Sequence, residues 1–388
     1  MMPVRRLRPD PGHTVLVDDD LGVRLVRTAD RAQEVDALAE ALERRVGLAG
    51  VLADLTRDAR PARVPGRAVT WGFRWDDEDQ HSARWWPQGI TTSADGCSTG
   101  VLDGRRVVLT SAYAKQVGGV HMGSRISVVD VTDRDRVRYR HVLLVEATVD
   151  GTGAVELWPV RVHAGGIVWH GQHLQVAGTA RGMVTFRLDD IMAAPVEHGR
   201  DRIGRGPDGR IATFGHRYVL PVRFSYEAQT SRGVEQLRYS FLSLDGGARP
   251  VELLAGEYGR DGMTTRLVHF PIDPDTSVLR TGREQEVTPL RWSTHGLRGM
   301  QGATVVDGTY YVTVSRGRHR LGHLYVGTPG ALTPYRWTLP AGPEDISYWP
   351  SRDQLWSLSE HPGRRYVYAM DRRRLGSVKS LASVFWRR

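Results

Sequence analysis

Five segments of the chain begin alike, with a short anchor of polar and glycine residues, a β-rich run, a turn and a second β-rich run. The anchors are Pro87–Ile90, His163–Ile167, Arg210–Thr213, Met300–Ala303 and Gly342–Ile346. A small antiparallel unit of this kind cannot bury both of its faces alone, so such units stack on their neighbours around an axis. The repeat therefore predicts an all-β architecture built from similar sheets.

The strand signals favour five units. In the third unit the expected strands are Tyr218–Val222 and Tyr239–Leu242, and turn sequences such as Asp307-Gly308 separate the strands of other units. Some intervals between anchors exceed the roughly 40–50 residues of a regular blade, so these units must carry insertions. Six units are possible if residues 250–295 hold a complete unit of their own.

The first 66 residues have a different pattern. A short hairpin is expected over residues 14–27, with Val15 and Val17 in its first strand. Asp30 and Gln33 have capping-box spacing, and apolar residues at helical spacing predict a helix that continues through Leu55. We therefore expect an N-terminal hairpin and helix extension over 1–66, packed on a main domain over 67–388.

The main domain resembles the β-propellers that include strictosidine-synthase-like and NHL-repeat proteins. The resemblance rests on the anchors in which Gly and Ile follow a polar residue, on β-runs such as Leu174–Ala177, and on strands that end in Asp, as in Val128–Asp130. It implies a propeller, most simply five-bladed, and carries no function with it. Propellers often close by pairing strands from both ends of the chain, which would set Ala68–Trp75 beside Tyr366–Asp371.

Composition limits the partners and the compartment. No window holds 18 consecutive apolar residues, and Met1–His13 is not followed by an apolar signal segment. Cys97 is the only cysteine, so neither an intrachain disulfide nor a thiolate metal site can form. The 53 basic residues include only two lysines, and the arginines are mostly scattered. We expect a cytoplasmic protein that binds a small molecule and neither nucleic acid nor membrane.

The geometry of a blade predicts where a site would lie. The first strand lies nearest the axis and the second returns antiparallel, so the start of one and the end of the other share a mouth. Starts of first strands supply Trp85, Trp86, Gln88, His163, Gln301 and Glu344. Ends of second strands supply Tyr113, Arg181, Tyr226, Arg316, Glu360 and His361. This mixture predicts a funnel that binds a sizeable organic anion.

Several of these residues also have a purely structural interpretation. Gln88, Gln301 and His163 would then only tie neighbouring blades together through backbone hydrogen bonds. A buried Glu344 either pairs with an arginine or takes part in chemistry. Trp85 and Trp86 are adjacent, so both cannot point inward from one strand. The acidic run Asp76–Asp79 lacks calcium-loop spacing and is expected to be a solvated loop.

Missing motifs narrow the chemistry. The chain has no Gly-x-Ser-x-Gly elbow, no phosphate-binding loop, no dinucleotide fingerprint and no His-Glu-x-x-His zinc motif. It also has no asparagine, so the central calcium site of propeller lactonases and esterases cannot be reproduced as those proteins build it. We expect no cofactor and no metal.

The first functional hypothesis is a cofactor-independent enzyme. A rigid funnel can hold a flexible substrate in a reactive conformer, and Glu344 or His163 would act as general acid or base. Arg181 or Arg316 would bind an anionic group. Cyclisation or isomerisation of a polyketide-like substrate in an antibiotic-type specialised-metabolite pathway fits best, with lyase chemistry close to it.

Two alternatives remain open. A non-catalytic scaffold or ligand sensor would show a closed axis at Gln88, Gln301 and Glu344. The other alternative is a hydrolase of glycans or lactones. Glycoside hydrolysis would need a pair of carboxylates across the mouth, for which Glu344 and Glu360 are the candidates.

Overall fold

The computed structural model describes residues 20–42, 44–196 and 199–375, and the chain in these ranges is mostly β-structure. The N-terminal strands are short: β1 (Val23–Arg27), β2 (Arg57–Asp58), β3 (Arg60–Pro61) and β4 (Val69–Arg74). The helices are α1 (Ala32–Leu42), α2 (Gly47–Ala53), α3 (Asp77–His81) and α4 (Ser93–Gly96). Short 3₁₀ helices span Leu188–Asp190, Arg283–Gln285 and Pro350–Arg352. No helix of the described ranges is long and apolar enough to cross a membrane.

The remaining strands form four-stranded antiparallel groups, of which the first two lie in one larger sheet. The first group is β5 (Trp85–Thr92), β6 (Val107–Ala114), β7 (Ser124–Asp130) and β8 (Arg138–Val149). β9 (Val155–Pro159) pairs with the outer edge of β8. The second group is β10 (Ile167–His170), β11 (His173–Ala177), β12 (Gly182–Arg187) and β16 (Tyr218–Thr230). β16 joins the two groups, since Val219–Pro221 pair in parallel with β8.

The other three groups form separate sheets. The third is β17 (Phe241–Asp245), β18 (Glu252–Gly256), β19 (Leu267–Pro271) and β21 (Arg291–Ser293). The fourth is β22 (Met300–Val306), β23 (Thr309–Val314), β24 (Gly322–Gly327) and β25 (Thr333–Leu339). The fifth is β26 (Pro343–Trp349), β27 (Gln354–Ser359) and β28 (Tyr366–Asp371), completed by β4. Smaller strands are β13 (Met192–Ala193), β14 (Ile203–Arg205), β15 (Ile211–Thr213) and β20 (Glu286–Val287).

The first strands of these groups contact one another in a ring. β5 contacts β10, β10 contacts β17, β17 contacts β22, β22 contacts β26, and β26 returns to β5. These five are the inner strands, and the ring they form defines a common axis. The architecture is that of a β-propeller, as the repeat predicts.

The last sheet pairs the final strand of the described chain with a strand that precedes the first group. β28 pairs antiparallel with β4, from Tyr366 opposite Arg74 to Met370 opposite Val69. The closing pair predicted from the sequence is therefore confirmed.

The strands predicted for the third unit are wrong. Its anchor Arg210–Thr213 lies at β15, which pairs only with β14 in a small hairpin. Tyr218–Val222 belongs to β16, the outer strand of the second group, and residues 250–295 supply outer strands of the third sheet. The insertion between β12 and β16 has the alternating pattern and turns of an inner hairpin. The local sequence pattern therefore could not distinguish this insertion from the inner strands of a unit.

The N-terminal helix differs from its prediction. α1 and α2 are separate, and the amides of Val46 and Gly47 between them bond to the carbonyl of Ile191. Leu38 of α1 and Val51 of α2 are fully buried in the same hydrophobic clusters as the sheet strands. A separate helical extension is therefore not supported. The first strand of the expected hairpin, with Val15 and Val17, lies outside the described residues.

Neighbouring inner strands approach each other closely where they carry glycine. A Cβ on Gly166 of the second unit would lie 2.0 Å from the amide nitrogen of Leu242, and one on Gly302 would lie 2.6 Å from Cα of Asp345. Only glycine permits such close approach of neighbouring backbones. Asp345 is itself fully buried and accepts a hydrogen bond from the amide of Ile90 over 3.3 Å. We call the end of the axis at which the inner strands begin the front mouth; the strands finish at the opposite end.

Candidate functional site

Polar side chains reach the front mouth from irregularities in three inner strands. The register of β5 with β6 shifts between Pro87 and Ile90, and that of β22 with β23 shifts between Met300 and Gly302. The register of β26 with β27 shifts after Pro343 in the same way. The residues at these bulges include Gln88, Gln301 and Glu344. A bulge changes the direction of a side chain without breaking the sheet, and bulges are common beside active sites.

Two carboxyl groups at the front mouth each accept a hydrogen bond from an amide of an inner strand. Gln301 Nε2 donates to Glu344 Oε1 over 3.3 Å, and Gln88 Nε2 donates to Glu360 Oε2 over 3.4 Å. Glu360 directly follows β27, and its own amide donates to the carbonyl of Gly342 over 3.1 Å, just before β26 begins. The start of one strand and the end of the next thus bring the two glutamates to the same place.

The two glutamates have different surroundings. Glu344 is 3% exposed, and burial raises its pKa well above the ordinary value, with smaller contributions from the nearby Glu360 and Asp345. Burial also raises the pKa of Glu360, but Lys115 and the hydrogen bond from Gln88 oppose that rise. The Glu360 side chain is 19% exposed. Glu344 therefore holds its proton more strongly than Glu360, and Glu360 is the group that ionises more readily.

Tyr113 and His163 form one wall of the front mouth. Their ring centroids lie 4.5 Å apart, and Tyr113 lies opposite Trp86 in the β5–β6 register. Burial raises the pKa of Tyr113 to about 12, helped by the negative charges of Glu360 and Glu344. Partial burial of its ring, together with Lys115, lowers the pKa of His163, although the residue as a whole is exposed. Tyr113 thus lies within electrostatic reach of both glutamates and keeps its hydroxyl proton.

Basic groups surround Trp86 at the rim. Lys115 Nζ lies 3.3 Å from the centroid of the Trp86 ring, and Arg365 Cζ lies 5.7 Å from it. The His361 ring is 6.2 Å from Trp86, and His361 Nδ1 lies 3.4 Å from Glu360 Oε1. The sequence analysis missed Lys115 and Arg365. Lys115 comes directly after β6, so the rule that selected Tyr113 could have found it.

The structure places four of the predicted site residues elsewhere. Trp85 is buried, with Arg125 Cζ 4.2 Å from its ring, because side chains alternate along β5 and Trp86 faces the opposite way. Tyr226 is also fully buried and donates to the carbonyl of Leu279 over 3.3 Å. Arg181 lines a separate surface cavity of about 500 Å³, beside Glu227 on the outer strand β16. Arg316 is exposed beyond β23, and within the described residues it forms no ion pair with either glutamate. The remaining eight residues lie at the front mouth.

The acidic run Asp76–Asp79 is not the solvated loop expected from the sequence. Asp76 caps helix α3, and Asp79 is only 7% exposed. Asp79 accepts hydrogen bonds from Tyr139 over 2.7 Å and from His141 Nε2 over 2.8 Å, and it forms an ion pair with Arg125. Burial opposes ionisation of Asp79, but His141 and Arg125 outweigh it and hold its pKa far below the ordinary value. The run combines one buried anion with exposed neighbours, which composition alone does not reveal.

One cluster has ligand types that could bind a metal ion. Single ligand atoms of Asp245, Glu252 and His269 lie within 4.8 Å of one another. Arg291 Nη2 is already 2.7 Å from Glu252 and 3.3 Å from Asp245, so a guanidinium supplies the positive charge there. We assign no metal to this cluster.

Comparisons with known proteins give no close relative. No family model matches the chain, and no curated protein matches it. Among solved structures, the gluconolactonase XC5397 from Xanthomonas campestris is similar at 12% identity, over 82% of this chain and 88% of that one, with a TM-score of 0.34. The Cps50 (Swd1) β-propeller domain from Myceliophteria thermophila matches at 9% identity, over 81% and 99%, with a TM-score of 0.35.

A third similar structure is the GH43_1 enzyme from Xanthomonas citri. It matches at 12% identity, over 87% of this chain and 92% of that one, with a TM-score of 0.32. These scores are too low to support an argument about the site. The comparisons also give no support to a strictosidine-synthase-like or NHL-repeat relationship, so the propeller architecture is what remains of that resemblance.

Proposed function

We propose that the five four-stranded groups are the blades of one propeller and that its front mouth hydrolyses a glycosidic bond. The observation that carries this proposal is the pairing of Glu344 and Glu360 at one mouth in unlike surroundings. Each carboxyl group accepts a hydrogen bond from the side-chain amide of a different glutamine, and only Glu344 is almost fully buried. Two carboxyl groups whose environments separate their protonation are what acid and base catalysis of acetal hydrolysis requires.

In the proposed reaction Glu344 is the general acid. It gives its proton to the leaving-group oxygen as the bond from that oxygen to the anomeric carbon breaks. Glu360, ionised, takes a proton from the attacking water, whose oxygen forms the new bond to the same carbon. One water is consumed and no redox change occurs. Gln301 and Gln88 hold the two carboxyl groups in place.

The other groups at the front mouth suit a small hydroxylated substrate. The side chains of Trp86 and Tyr113 offer flat apolar surfaces for the C–H faces of a sugar ring. Amides, carboxyls and the exposed His163 offer partners for its hydroxyl groups. His163 is assigned to binding here, because it is rim-exposed and Glu344 is the better-placed acid.

Cyclisation or isomerisation of an anionic polyketide-like substrate is not favoured by any observation at the front mouth. Of the two arginines expected to bind the anion, Arg181 lines a separate cavity, and Arg316 forms no ion pair with either glutamate within the described residues. The non-catalytic scaffold remains the second candidate, because Glu344 and Gln88 are each 3% exposed and are tied by hydrogen bonds.

A glycoside panel distinguishes the two. Purified protein is assayed with a set of α- and β-linked 4-nitrophenyl glycosides, beside the variants Glu344→Gln, Glu360→Gln and, as a control on an exposed helix position, Glu40→Gln. We expect turnover of at least one member, a loss of about 100-fold or more in the first two variants, and no change in the control. Folded protein that turns over no member contradicts the proposal and favours the scaffold.

A further inference from the structure

The end of the axis opposite the front mouth holds a cavity of about 840 Å³. We call it the rear cavity. Its walls include the last residues of inner strands, among them His170, Leu244, Val306 and Tyr348. The chain that follows β5, Ala94–Ser98, closes one side. It lies at the ends of the inner strands, whereas the front mouth lies at their starts.

One carboxyl group of the rear cavity is only half satisfied. Asp95 Oδ2 accepts hydrogen bonds from Thr91 Oγ1 and Ser347 Oγ, each over 2.7 Å, and from the amide of Thr92 over 3.1 Å. The bond to Thr92 belongs to the capping box of α4. Within the described ranges, Oδ1 accepts no hydrogen bond and no arginine or lysine forms an ion pair with Asp95. Burial raises the pKa of this carboxyl group, and the three donors and the neighbouring His170 oppose that rise. The three donors therefore all bond to Oδ2 and leave Oδ1 for a ligand.

The rest of the wall favours an organic ligand with an apolar body. Val251, Ile272, Val305 and Pro350 supply apolar surface. The one arginine of the lining, Arg249, directs Nη1 to the carbonyls of Gly246 and Ala248. A cavity of this volume with mostly apolar walls and few convergent polar groups has the character of a small-molecule site.

We propose that the rear cavity is a second binding site, which takes a small organic cation with an apolar body and uses Asp95 as its counter-ion. A protonated amine can donate to Oδ1 while its hydrocarbon part contacts the apolar wall, so the charge is paired on entry. This site does not depend on glycoside hydrolysis at the front mouth.

Cys97 provides a reporter, because it lines the rear cavity and is the only cysteine of the chain. The rate of its modification is measured with cationic, neutral and anionic methanethiosulfonates of similar size, each normalised to its rate with a free thiol. We expect the cationic reagent to react at least about tenfold faster than the anionic one. Asp95→Asn should bring this ratio close to one, and the exposed-site control Asp208→Asn should leave it unchanged.

Ligand chemistry is tested in the same assay with 2-phenylethylamine as the probe and 2-phenylethanol as its uncharged counterpart. The amine should protect Cys97 at concentrations at which the alcohol does not. Equal rates for the three reagents in the wild-type protein overturn the role of Asp95. Equal protection by both probes, or protection by neither up to their solubility, overturns the cation site. The wild-type measurements decide the matter even if Asp95→Asn fails to fold.

Discussion

The side-chain amide of Gln301 donates a hydrogen bond to Glu344 Oε1, and the two residues lie at bulges of adjacent inner strands. This contact holds the Glu344 carboxyl group in one orientation, while burial raises its pKa well above the ordinary value. A buried carboxyl group held in one orientation can act as a general acid, whereas its burial costs stability in a protein that does not use it for chemistry.

Replacing Glu344 by glutamine should stabilise the protein in a pH-dependent manner. The folded-state pKa of Glu344 is raised above its unfolded value, so the folded protein keeps a proton that the unfolded chain loses above about pH 4.5. Its contribution to stability is therefore complete at low pH and falls as the pH rises. Thermal unfolding should show little difference for Glu344→Gln at pH 4 and a higher melting temperature than wild type at pH 8. A melting temperature of Glu344→Gln at pH 8 that is equal to or below that of the wild type would contradict this account.

Lys115 should set the acidic limb of the pH–rate profile. The ammonium group lowers the pKa of Glu360, against the effect of burial. Lys115→Met should raise the pKa of the proposed base, so the acidic limb of kcat/KM moves to higher pH. Lys115→Arg keeps the charge and should leave the limb near its original position. If the acidic limb moves equally in both variants, the charge of Lys115 is not responsible for the shift, and the packing of Lys115 on Trp86 is.

Asp79 should be among the most sensitive positions for stability. Asp79→Asn leaves Arg125 buried without its partner, for which a loss of about 3–5 kcal/mol in the free energy of unfolding is expected. The exposed neighbour Asp77 is the matched control, and Asp77→Asn should cost less than about 0.5 kcal/mol. Urea denaturation of the two variants gives both values, and a similar small loss in each would contradict the buried cluster.

The same cluster predicts acid sensitivity. Burial, together with Arg125, lowers the pKa of His141 to about 4. Between the unfolded pKa of about 6.5 and this value, the unfolded chain binds a proton that the folded protein does not. Stability should therefore fall as the pH is lowered from about 6.5 to 4, and the ionised Asp79 extends the fall to lower pH. Unfolding at a series of pH values checks this, with His141→Gln expected to flatten the first part of the decline.

Gly302 should not tolerate a side chain. Its added Cβ would lie 2.6 Å from Cα of Asp345, so Gly302→Ala must separate two inner strands, at a cost of about 1–3 kcal/mol or more. Gly151 has no neighbour within 4 Å of an added Cβ, and Gly151→Ala should be close to neutral. Chemical denaturation of the two alanine variants tests whether the inner strands pack as closely as described.

The sequence was informative where a repeat imposes one geometry on several residues. Gln88, Gln301 and Glu344 each lie at a bulge near the start of their own inner strand. The rule that first strands begin at one mouth therefore groups these three residues correctly. It fails at Tyr226 because that residue lies in an outer strand, which resembles an inner one in local pattern.

Other features depend on contacts between residues far apart in the chain. Asp79 is buried by Arg125 and Tyr139, which come from β7 and β8 of the first group, and no spacing in the acidic run indicates this. The rear cavity likewise forms where several blades meet, so Asp95 carries no local signal apart from its helix cap.

The most direct test of the central claim compares two leaving groups in Glu344→Gln. Once the glycoside panel has identified a sugar, the variant is assayed on its phenyl glycoside, which needs protonation to leave, and on its 2,4-dinitrophenyl glycoside, which does not. If Glu344 is the general acid, kcat/KM should fall about 100-fold or more for the first substrate and less than about tenfold for the second. Equal losses for both substrates, or no loss for either, would contradict the assignment of Glu344 as the acid.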